Sequence, residues 1–265
     1  AALAGFGLFF CLLSGYFMLR PIRESMGIQG GVDNLQWLFT ATFFAMLVAV
    51  PLFAWLNSRV ARIHYIDWVY GFFCLNLLAF GVLFFGLRDS GWPARVFYVW
   101  ISVYNLFVVS VAWSLMADVF DAPQAKRLFA FIAAGASVGG LVGPALSTLL
   151  VGALGEFGLV LLAALLLALA VALKHYLMAW REVGGAGRAG AERAESPRRP
   201  VAGNPFSGLT RVLGSGYLLG IAAFVLLLTS ASTFLYFEQA RLVAGLFPDR
   251  AEQVRVFGVI DFVVQ

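Results

Sequence analysis

Residues 2–25, ALAGFGLFFCLLSGYFMLRPIRES, join a long uncharged segment to a compact cluster of charge. The first eighteen of them, Ala2 to Leu19, carry no charge, and apolar side chains surround the segment instead of forming one stripe. A helix of roughly 20 apolar residues, rising about 1.5 Å per residue, crosses about 30 Å of hydrocarbon. The stretch therefore predicts a transmembrane helix whose far end carries two arginines, a proline and a glutamate.

The rest of the chain has the same apolar character. Of its 265 residues, 62% are hydrophobic and 12% are charged, whereas about a quarter of the residues in soluble domains are charged. The alternation of polar and apolar residues expected of a membrane barrel strand is missing. Because helices satisfy their own backbone hydrogen bonds in lipid, an all-α membrane protein is predicted. The predicted spans are 5–28, 35–56, 66–87, 95–117, 128–152, 157–180 and 213–237, with an eighth that begins near Val254.

A polar segment divides these spans unequally. Residues 182–211, rich in Arg, Gly, Ala and Pro, are predicted to form a cytoplasmic linker. It separates an N-terminal six-helix half, 1–181, from the beginning of a second half, 212–265, which we expect to be a fragment truncated in its eighth span. Six helices, a polar loop and a second series of helices resemble the layout of major facilitator transporters, whose halves are related by an axis along the membrane normal. A major facilitator-type helical bundle is therefore the predicted fold.

The distribution of lysine and arginine predicts the orientation in the membrane. These residues concentrate in cytoplasmic connections. Loops 57–64, 118–127 and 174–211 hold eleven of the eighteen, five lie on the opposite side, and Arg20 and Arg23 of the first span make up the rest. The N-terminus is therefore predicted to be cytoplasmic. The net charge of +4 follows from this topology, so no nucleic-acid partner is expected.

Some stretches of the sequence match motifs of soluble enzymes letter by letter, but they lack the structural setting that those motifs need. Residues 135–139 spell G-x-S-x-G, but they lie within a predicted membrane helix and not on the strand-to-helix turn that a nucleophile elbow needs. The two histidines and two cysteines are isolated from one another, so neither a metal site nor a disulfide is predicted. An enzyme is not expected, and neither is a cofactor. The predicted partners are a small solute and the lipid bilayer, and the chain is expected to be monomeric.

One face of the fifth span has almost no side chains. Gly135, Gly139 and Gly143 recur every four residues, and Pro144 follows, where it removes a backbone donor and favours a bend. A neighbouring helix can approach such a face closely. Two interpretations stay open: static helix packing, or a face that rocks against its neighbour during alternating access. The second is favoured by GGLVGP, residues 139–144, which resembles the G-x-x-x-G-P core of the fifth-helix motif of major facilitator antiporters.

The charged cluster that ends the first span is the predicted binding site. Arg20 and Arg23 are three residues apart and share a helix face, and Glu24 lies one turn after Arg20, where it can pair with and orient the guanidinium groups. Tyr16 precedes Arg20 by one turn. Charge within a membrane is costly and usually faces a cavity, so this pair predicts a site for an anion. The alternative is that both arginines snorkel at the outer surface from a helix that ends at Leu19.

Three other spans supply polar groups. Tyr98 and Asn105 of the fourth span are predicted to line the same site, although Asn105 is equally suited to a hydrogen bond between helices. Glu238 of the seventh span and Asp261 of the eighth are predicted to couple or gate transport, as is Glu24, because a carboxylate within a span pairs with an arginine or carries a proton. An ion pair between Glu238 and either Arg20 or Arg23 is a candidate gate, because the first and seventh spans face each other in the predicted fold.

Two stretches resemble the ATP/ADP antiporter-like family, the nucleotide transporters of plastids and intracellular bacteria. YFMLRPIRES, residues 16–25, is similar to a first-helix signature in which an Arg-x-x-Lys-Asp pattern takes the positions of Arg20, Arg23 and Glu24. NLFVVSVAWSLMADVFDAPQAKRLFAFIAAGAS, residues 105–137, is similar to the family's fourth span, its Asp/Glu-Ala-Lys-Arg loop and the start of its fifth span. The resemblance covers the first five spans. It implies an exchanger with a basic site for an anion, which in family members is a nucleotide.

The sequence also departs from that family. The family's fourth span has an acidic residue where this chain has Ser102, Val103 and Asn105; Arg23 replaces a lysine with a planar donor, and Pro21 is additional. We therefore predict a secondary active transporter in a bacterial inner membrane that moves a small anionic solute by exchange or proton coupling, with a nucleotide as one candidate. The alternatives are a non-transporting membrane sensor or scaffold, or the membrane half of a larger fused protein.

Overall fold

The chain folds into long helices. A computed structural model describes residues 2–29, 34–59, 62–86, 91–120, 122–185 and 212–265. Within these ranges every extended regular element is a helix, which confirms the all-α class. A single helical stretch, Ala122–Gly185, is divided by Gly155 into α5 (122–154) and α6 (156–185). The other helices are α1 (Ala2–Gln29), α2 (Leu35–Arg59), α3 (Arg62–Gly86), α4 (Gly91–Val119), α7 (Gly216–Leu246) and α8 (Arg250–Val264).

Six helices in the described part are long and apolar enough to cross a membrane, with the divided stretch counted once. They coincide with the predicted spans, so the prediction of a helical membrane protein is confirmed at this level. The predicted eighth span is a helix of 15 residues that begins at Arg250, earlier than expected, and it is not one of the six. The arrangement of major facilitator type stays a prediction.

Gly155 reverses the chain between α5 and α6. Its backbone angles, φ 63° and ψ −176°, lie in a region that residues with a Cβ rarely adopt. The reversal is visible in the contacts with α1. Along α6, Gly7 lies against Leu173 and Gly15 lies against Ala163, so α6 runs antiparallel to α1. The predicted division into spans at 128–152 and 157–180 is thereby confirmed.

The glycine face of α5 is the surface on which α1 packs. A Cβ atom at residue 139 would lie 2.6 Å from the carbonyl oxygen of Phe10, and one at residue 143 would lie 2.6 Å from that of Ser14 and 2.9 Å from the amide nitrogen of Met18. These are backbone atoms that cannot move aside, so the close approach requires glycine. The pairs run in the same direction along both helices, and they are Gly135 with Phe6, Gly139 with Phe10, and Gly143 with Ser14. Packing is confirmed, and rocking stays a prediction.

The helix α1 occupies the centre of the bundle. Its side chains Leu8, Leu12, Met18 and Ile22 are fully buried, and its main neighbours are α4, α5, α6 and α8. In contrast, α7 is peripheral, since its buried residues are confined to Ala240 and Val243 near its end. The polar end of this central helix contacts α4, α7 and α8.

One basic residue lies in a different place from that predicted. Lys174, counted above with the cytoplasmic loop, lies within α6 and is only 1% exposed. Its Nζ donates to both carboxylate oxygens of Asp67 on α3, at 2.8 and 2.9 Å. A buried charge is stable when it is paired in this way, so the residue ties α3 to α6. The linker beyond residue 185 lies outside the described residues, and the predicted cytoplasmic N-terminus stays a prediction.

Candidate functional site

The charged end of α1 lies inside the helix bundle. The helix continues through Pro21 for two further turns, so it does not end at Leu19 as the alternative interpretation required. Glu24 is 6% exposed, Arg23 is 16% exposed and Arg20 is 35% exposed at their side chains. All three are therefore removed to different degrees from solvent, which is costly unless each charge is paired.

Glu24 is the acceptor at the centre of this cluster. Its Oε1 accepts a hydrogen bond from Arg23 Nη1 at 3.3 Å and lies 4.0 Å from Arg20 Nε. Its Oε2 accepts a hydrogen bond from the hydroxyl of Tyr236 on α7. Both carboxylate oxygens are thus engaged, one by α1 itself and one by a residue from the other side of the linker. Glu24 therefore orients the guanidinium groups, as its spacing from Arg20 predicts.

Arg23 is held over an aromatic ring. The carbon of its guanidinium lies 4.2 Å from the ring centre of Tyr98 on α4, a distance typical of a cation–π interaction. The hydroxyl of Tyr98 is 3.1 Å from that of Tyr236. Within the described residues, Arg23 Nε is buried and has no hydrogen-bond partner. Arg23 therefore keeps a donor that a further acceptor could use.

Arg20 pairs with a carboxylate on α8. Its Nη1 lies 3.5 Å from Oδ1 of Asp261, whose side chain is 12% exposed. The other oxygen of Asp261, Oδ2, is buried without a hydrogen-bond partner in the described part of the chain. The ion pair joins α1 to α8, and it leaves Asp261 less completely satisfied than Glu24.

A second polar link joins α1 to α8 beside this ion pair. Ser25 Oγ donates to Oε1 of Gln253 at 3.0 Å, and Gln253 Nε2 donates to the carbonyl oxygen of Phe247 at 2.8 Å. The sequence does not single out either side chain, because a serine and a glutamine at helical spacing carry no specific signal. Their contact fixes the register of α8 against the C-terminal part of α1.

An aromatic wall closes one side of the cluster. The ring of Phe39 on α2 lies 6.4 Å from that of Tyr98, 5.3 Å from that of Tyr236 and 5.1 Å from that of Phe237. Gly27 allows the approach, since a Cβ atom there would lie 2.8 Å from the Tyr98 ring. Aromatic rings in this arrangement exclude water and strengthen the electrostatic interactions beside them. Phe39 and Phe237 are members that sequence reasoning missed.

Three predicted residues make none of the contacts described above. Tyr16 is half-buried and packs edge to face on Phe17, and it borders the cluster closely enough to interact electrostatically with its charges. Asn105 is half-buried on α4. Glu238 pairs with Arg241, Nη1 to Oε1 at 2.8 Å, at the exposed surface of α7. The suggested pairing of Glu238 with an arginine of α1 is therefore not formed, and the α7 residue that reaches the cluster is Tyr236.

The positive and negative charges of the cluster are equal in number. Arg20 and Arg23 contribute two positive charges, and Glu24 and Asp261 contribute two negative charges when ionised. An entering anion can therefore bind a guanidinium only by sharing it with a carboxylate or displacing that carboxylate. Within the described residues, no group of three or more His, Cys, Asp or Glu side chains is placed to hold a metal ion.

We expect Tyr236→Phe to weaken the link between α7 and the cluster. The substitution removes a hydroxyl that donates to Glu24 and lies beside the Tyr98 hydroxyl, and it leaves a buried carboxylate oxygen without its donor. Leaving a buried acceptor unsatisfied destabilises a protein by about 1–3 kcal/mol. The melting temperature of the purified protein should fall. In the Glu24→Ala background, which has no side-chain acceptor at residue 24 for that hydroxyl, the same substitution should have a much smaller effect, and equal effects in both backgrounds would contradict the contact.

The cluster thus combines residues from α1, α4, α7 and α8 around one buried carboxylate, Glu24. The two sides of the linker meet there through the contacts of Tyr236, Gln253 and Asp261. Comparison of the chain with family profiles, curated proteins and solved structures found no match.

Proposed function

We propose that this chain belongs to a secondary active transporter that carries a small anionic solute across a bacterial inner membrane, with its N-terminus in the cytoplasm. The observation that supports this most directly is the placement of Arg20 and Arg23 inside an otherwise apolar helical bundle, between helices from both sides of the linker. Arginine is the residue best suited to bind a carboxylate or phosphate through paired hydrogen bonds.

The two arginines have different roles in this proposal. Arg23 is fixed over Tyr98 and bonded to Glu24, so it supplies a permanent positive charge at the wall of the site. Arg20 is more exposed, and its two carboxylate contacts are longer: 3.5 Å to Asp261 and 4.0 Å to Glu24. An anion therefore binds Arg20 first, in place of Asp261, and is attracted by Arg23 and its unused Nε.

Movement of the solute requires the two sides of the linker to separate at this site. The polar links between them at the cluster are few: the hydroxyl of Tyr236, the ion pair of Asp261 and the side-chain amide of Gln253. The ring of Phe39 adds apolar contacts with α7. The polar links can break and re-form, whereas the glycine face between α1 and α5 is tightly packed. We therefore place the opening between α8 and α1, within a bundle of major facilitator type.

The resemblance of two stretches to ATP/ADP antiporters supports exchange as the mode of transport and a nucleotide as one solute to test. The site offers what such a solute would use: guanidinium groups for a phosphate and the rings of Phe39 and Tyr98 beside them. Substrate identity depends on the site and not on the fold, so other phosphorylated or carboxylate solutes belong in the same test.

A ligand screen tests this function. The purified full-length protein is heated with ADP, inorganic phosphate, glucose 6-phosphate or succinate, and a bound anion should raise its melting temperature. A ligand present at 100 times its dissociation constant stabilises the folded state by about 2.7 kcal/mol. The increase should disappear in Arg20→Ala, and the same anion should be taken up by proteoliposomes that contain the wild-type protein.

The outcome separates a transporter from a sensor or scaffold. Binding together with uptake supports the transporter. Binding that Arg20→Ala abolishes, with no uptake or exchange of the bound anion, would instead indicate a sensor. If none of the four anions binds to the folded protein or crosses the membrane, the proposed anion site is contradicted.

A further inference from the structure

The two carboxylates of the cluster are held very differently. Glu24 uses both oxygens, one with Arg23 and one with Tyr236. Asp261 has one contact, 3.5 Å long, to Arg20, and its Oδ2 is buried with no hydrogen-bond partner among the described residues. If the partner of Asp261 is taken away, an ionised and largely buried carboxylate remains without a donor among the described residues.

An anion that binds at this cluster takes that partner away. Without solute the four charges sum to zero, so a bound anion gives the buried cluster an excess of negative charge. Unpaired charge in a membrane interior is strongly unfavourable, and an acidic group in such a place usually takes up a proton instead. Glu24 keeps its donors throughout, so Asp261 is the group on which the proton is best accommodated.

We propose that Asp261 takes up one proton when an anionic solute displaces it from Arg20, so that solute and proton cross the membrane together. This inference rests on the proposed transport function and adds the coupling ion. The proton comes from water on the side where the solute enters and binds a carboxylate oxygen of Asp261. On the other side the solute leaves Arg20, Asp261 releases the proton, and the ion pair between them forms again.

The charged groups around Asp261 are consistent with this assignment. The facing groups on α1 are Arg20, Arg23, Glu24 and the phenol of Tyr16, and the α7 group in contact with the cluster is the hydroxyl of Tyr236. The apolar part of α5 against which α8 packs, residues 128–154, contains no charged residue. Arg20 is therefore the cation whose departure controls the charge on Asp261.

Proteoliposomes provide the test. Vesicles containing the wild-type protein are given whichever of ADP, phosphate, glucose 6-phosphate and succinate they transport, with the membrane potential clamped at zero. A pH difference of one unit should drive about a tenfold accumulation if one proton moves with each solute. In Asp261→Asn, which keeps the shape but cannot ionise, the pH difference should drive no accumulation, while solute-for-solute exchange is still measurable.

Two further variants make the result specific. Asp261→Glu should restore accumulation driven by the pH difference, because it restores an ionisable group. Glu252→Gln removes an exposed carboxylate from the same helix and should leave accumulation at the wild-type level. A pH-sensitive dye inside the vesicles should record proton entry together with the solute for the wild-type protein and not for Asp261→Asn.

The possible failures are distinct. Wild-type vesicles that transport an anion without any response to the pH difference, or Asp261→Asn vesicles that still accumulate it, would overturn the coupling role and leave the transport function intact. Vesicles that transport none of the four anions would contradict the transport function itself and, with it, the role of Asp261.

Discussion

Replacing Arg23 with alanine is expected to reduce anion uptake by about 30-fold or more, because truncating one partner of a buried, hydrogen-bonded charge pair costs about 2–5 kcal/mol. The substitution removes the guanidinium that lies over Tyr98 and bonds to Glu24. It leaves Glu24 with Tyr236 and the more distant Arg20, so the negative charge of the cluster then exceeds the positive charge. Initial rates of uptake into proteoliposomes measure the effect.

Two companion variants show whether the loss is specific to this position. Arg23→Lys keeps the charge but loses the planar group that stacks on Tyr98, so uptake should fall by less than in Arg23→Ala. Arg95→Ala removes an exposed arginine one turn before Tyr98 and should transport normally. Size-exclusion chromatography in detergent confirms that each variant is folded. Full uptake by a folded Arg23→Ala protein would show that this guanidinium does not bind the solute.

Replacing Gly143 with leucine is expected to prevent α1 and α5 from packing. Any Cβ at this position would approach the carbonyl oxygen of Ser14 to 2.6 Å and the amide nitrogen of Met18 to 2.9 Å, and leucine adds three further carbons. Extra methylenes in a well-packed core cost about 1–3 kcal/mol where side chains can adjust, but here the obstacle is backbone. The loss of stability should be larger, and monodisperse protein should not be recovered after extraction in detergent.

Gly71→Leu is the matched control for this prediction. Gly71 lies in α3, and a Cβ atom there has no neighbouring atom within 4 Å. The substitution should therefore leave the yield and the elution profile unchanged. A Gly143→Leu protein that is as monodisperse and as heat-stable as Gly71→Leu would mean that α1 and α5 are not packed as closely as described.

The helices could be predicted from the sequence because lipid imposes a simple rule. A segment of about 20 apolar residues in a membrane has to satisfy its own backbone hydrogen bonds, and a helix is the way to do so. The break at Gly155 was also predictable, since a largely apolar segment of 53 residues is too long for one crossing. Helix ends were less predictable: α7 continues to Leu246, because nothing between residues 237 and 246 stops a helix.

The acidic and basic members of the site were predictable, but their partners were not. Charges within apolar helices are rare enough to be noticed, which is how Arg20, Arg23 and Asp261 could be named. Which α7 residue reaches them depends on the rotation of that helix. Successive residues differ by about 100° around a helix, so Tyr236 and Glu238 point in nearly opposite directions. Only the packing of α7 decides that Tyr236 faces Glu24 while Glu238 faces outward with Arg241.

The burial of Lys174 is a second feature that could not be predicted from the sequence. A lysine near the end of an apolar span is usually a cytoplasmic anchor, and charge counting treats it as such. Its burial depends on Asp67, which is 107 residues earlier in the chain and on a different helix. No local pattern reports such a pair, because the two side chains meet only after α3 and α6 have packed.

The packing of α1 against both α5 and α6 has a consequence for the order in which the protein assembles during synthesis. The helices α2, α3 and α4 all leave the ribosome between α1 and its two largest partners. During that interval α1 crosses the bilayer with Arg20, Arg23 and Glu24 but without the glycine surface that will receive it. We therefore expect that the side of α1 that later packs on α5 and α6 stays uncovered by its own chain until the hairpin at Gly155 has entered the membrane.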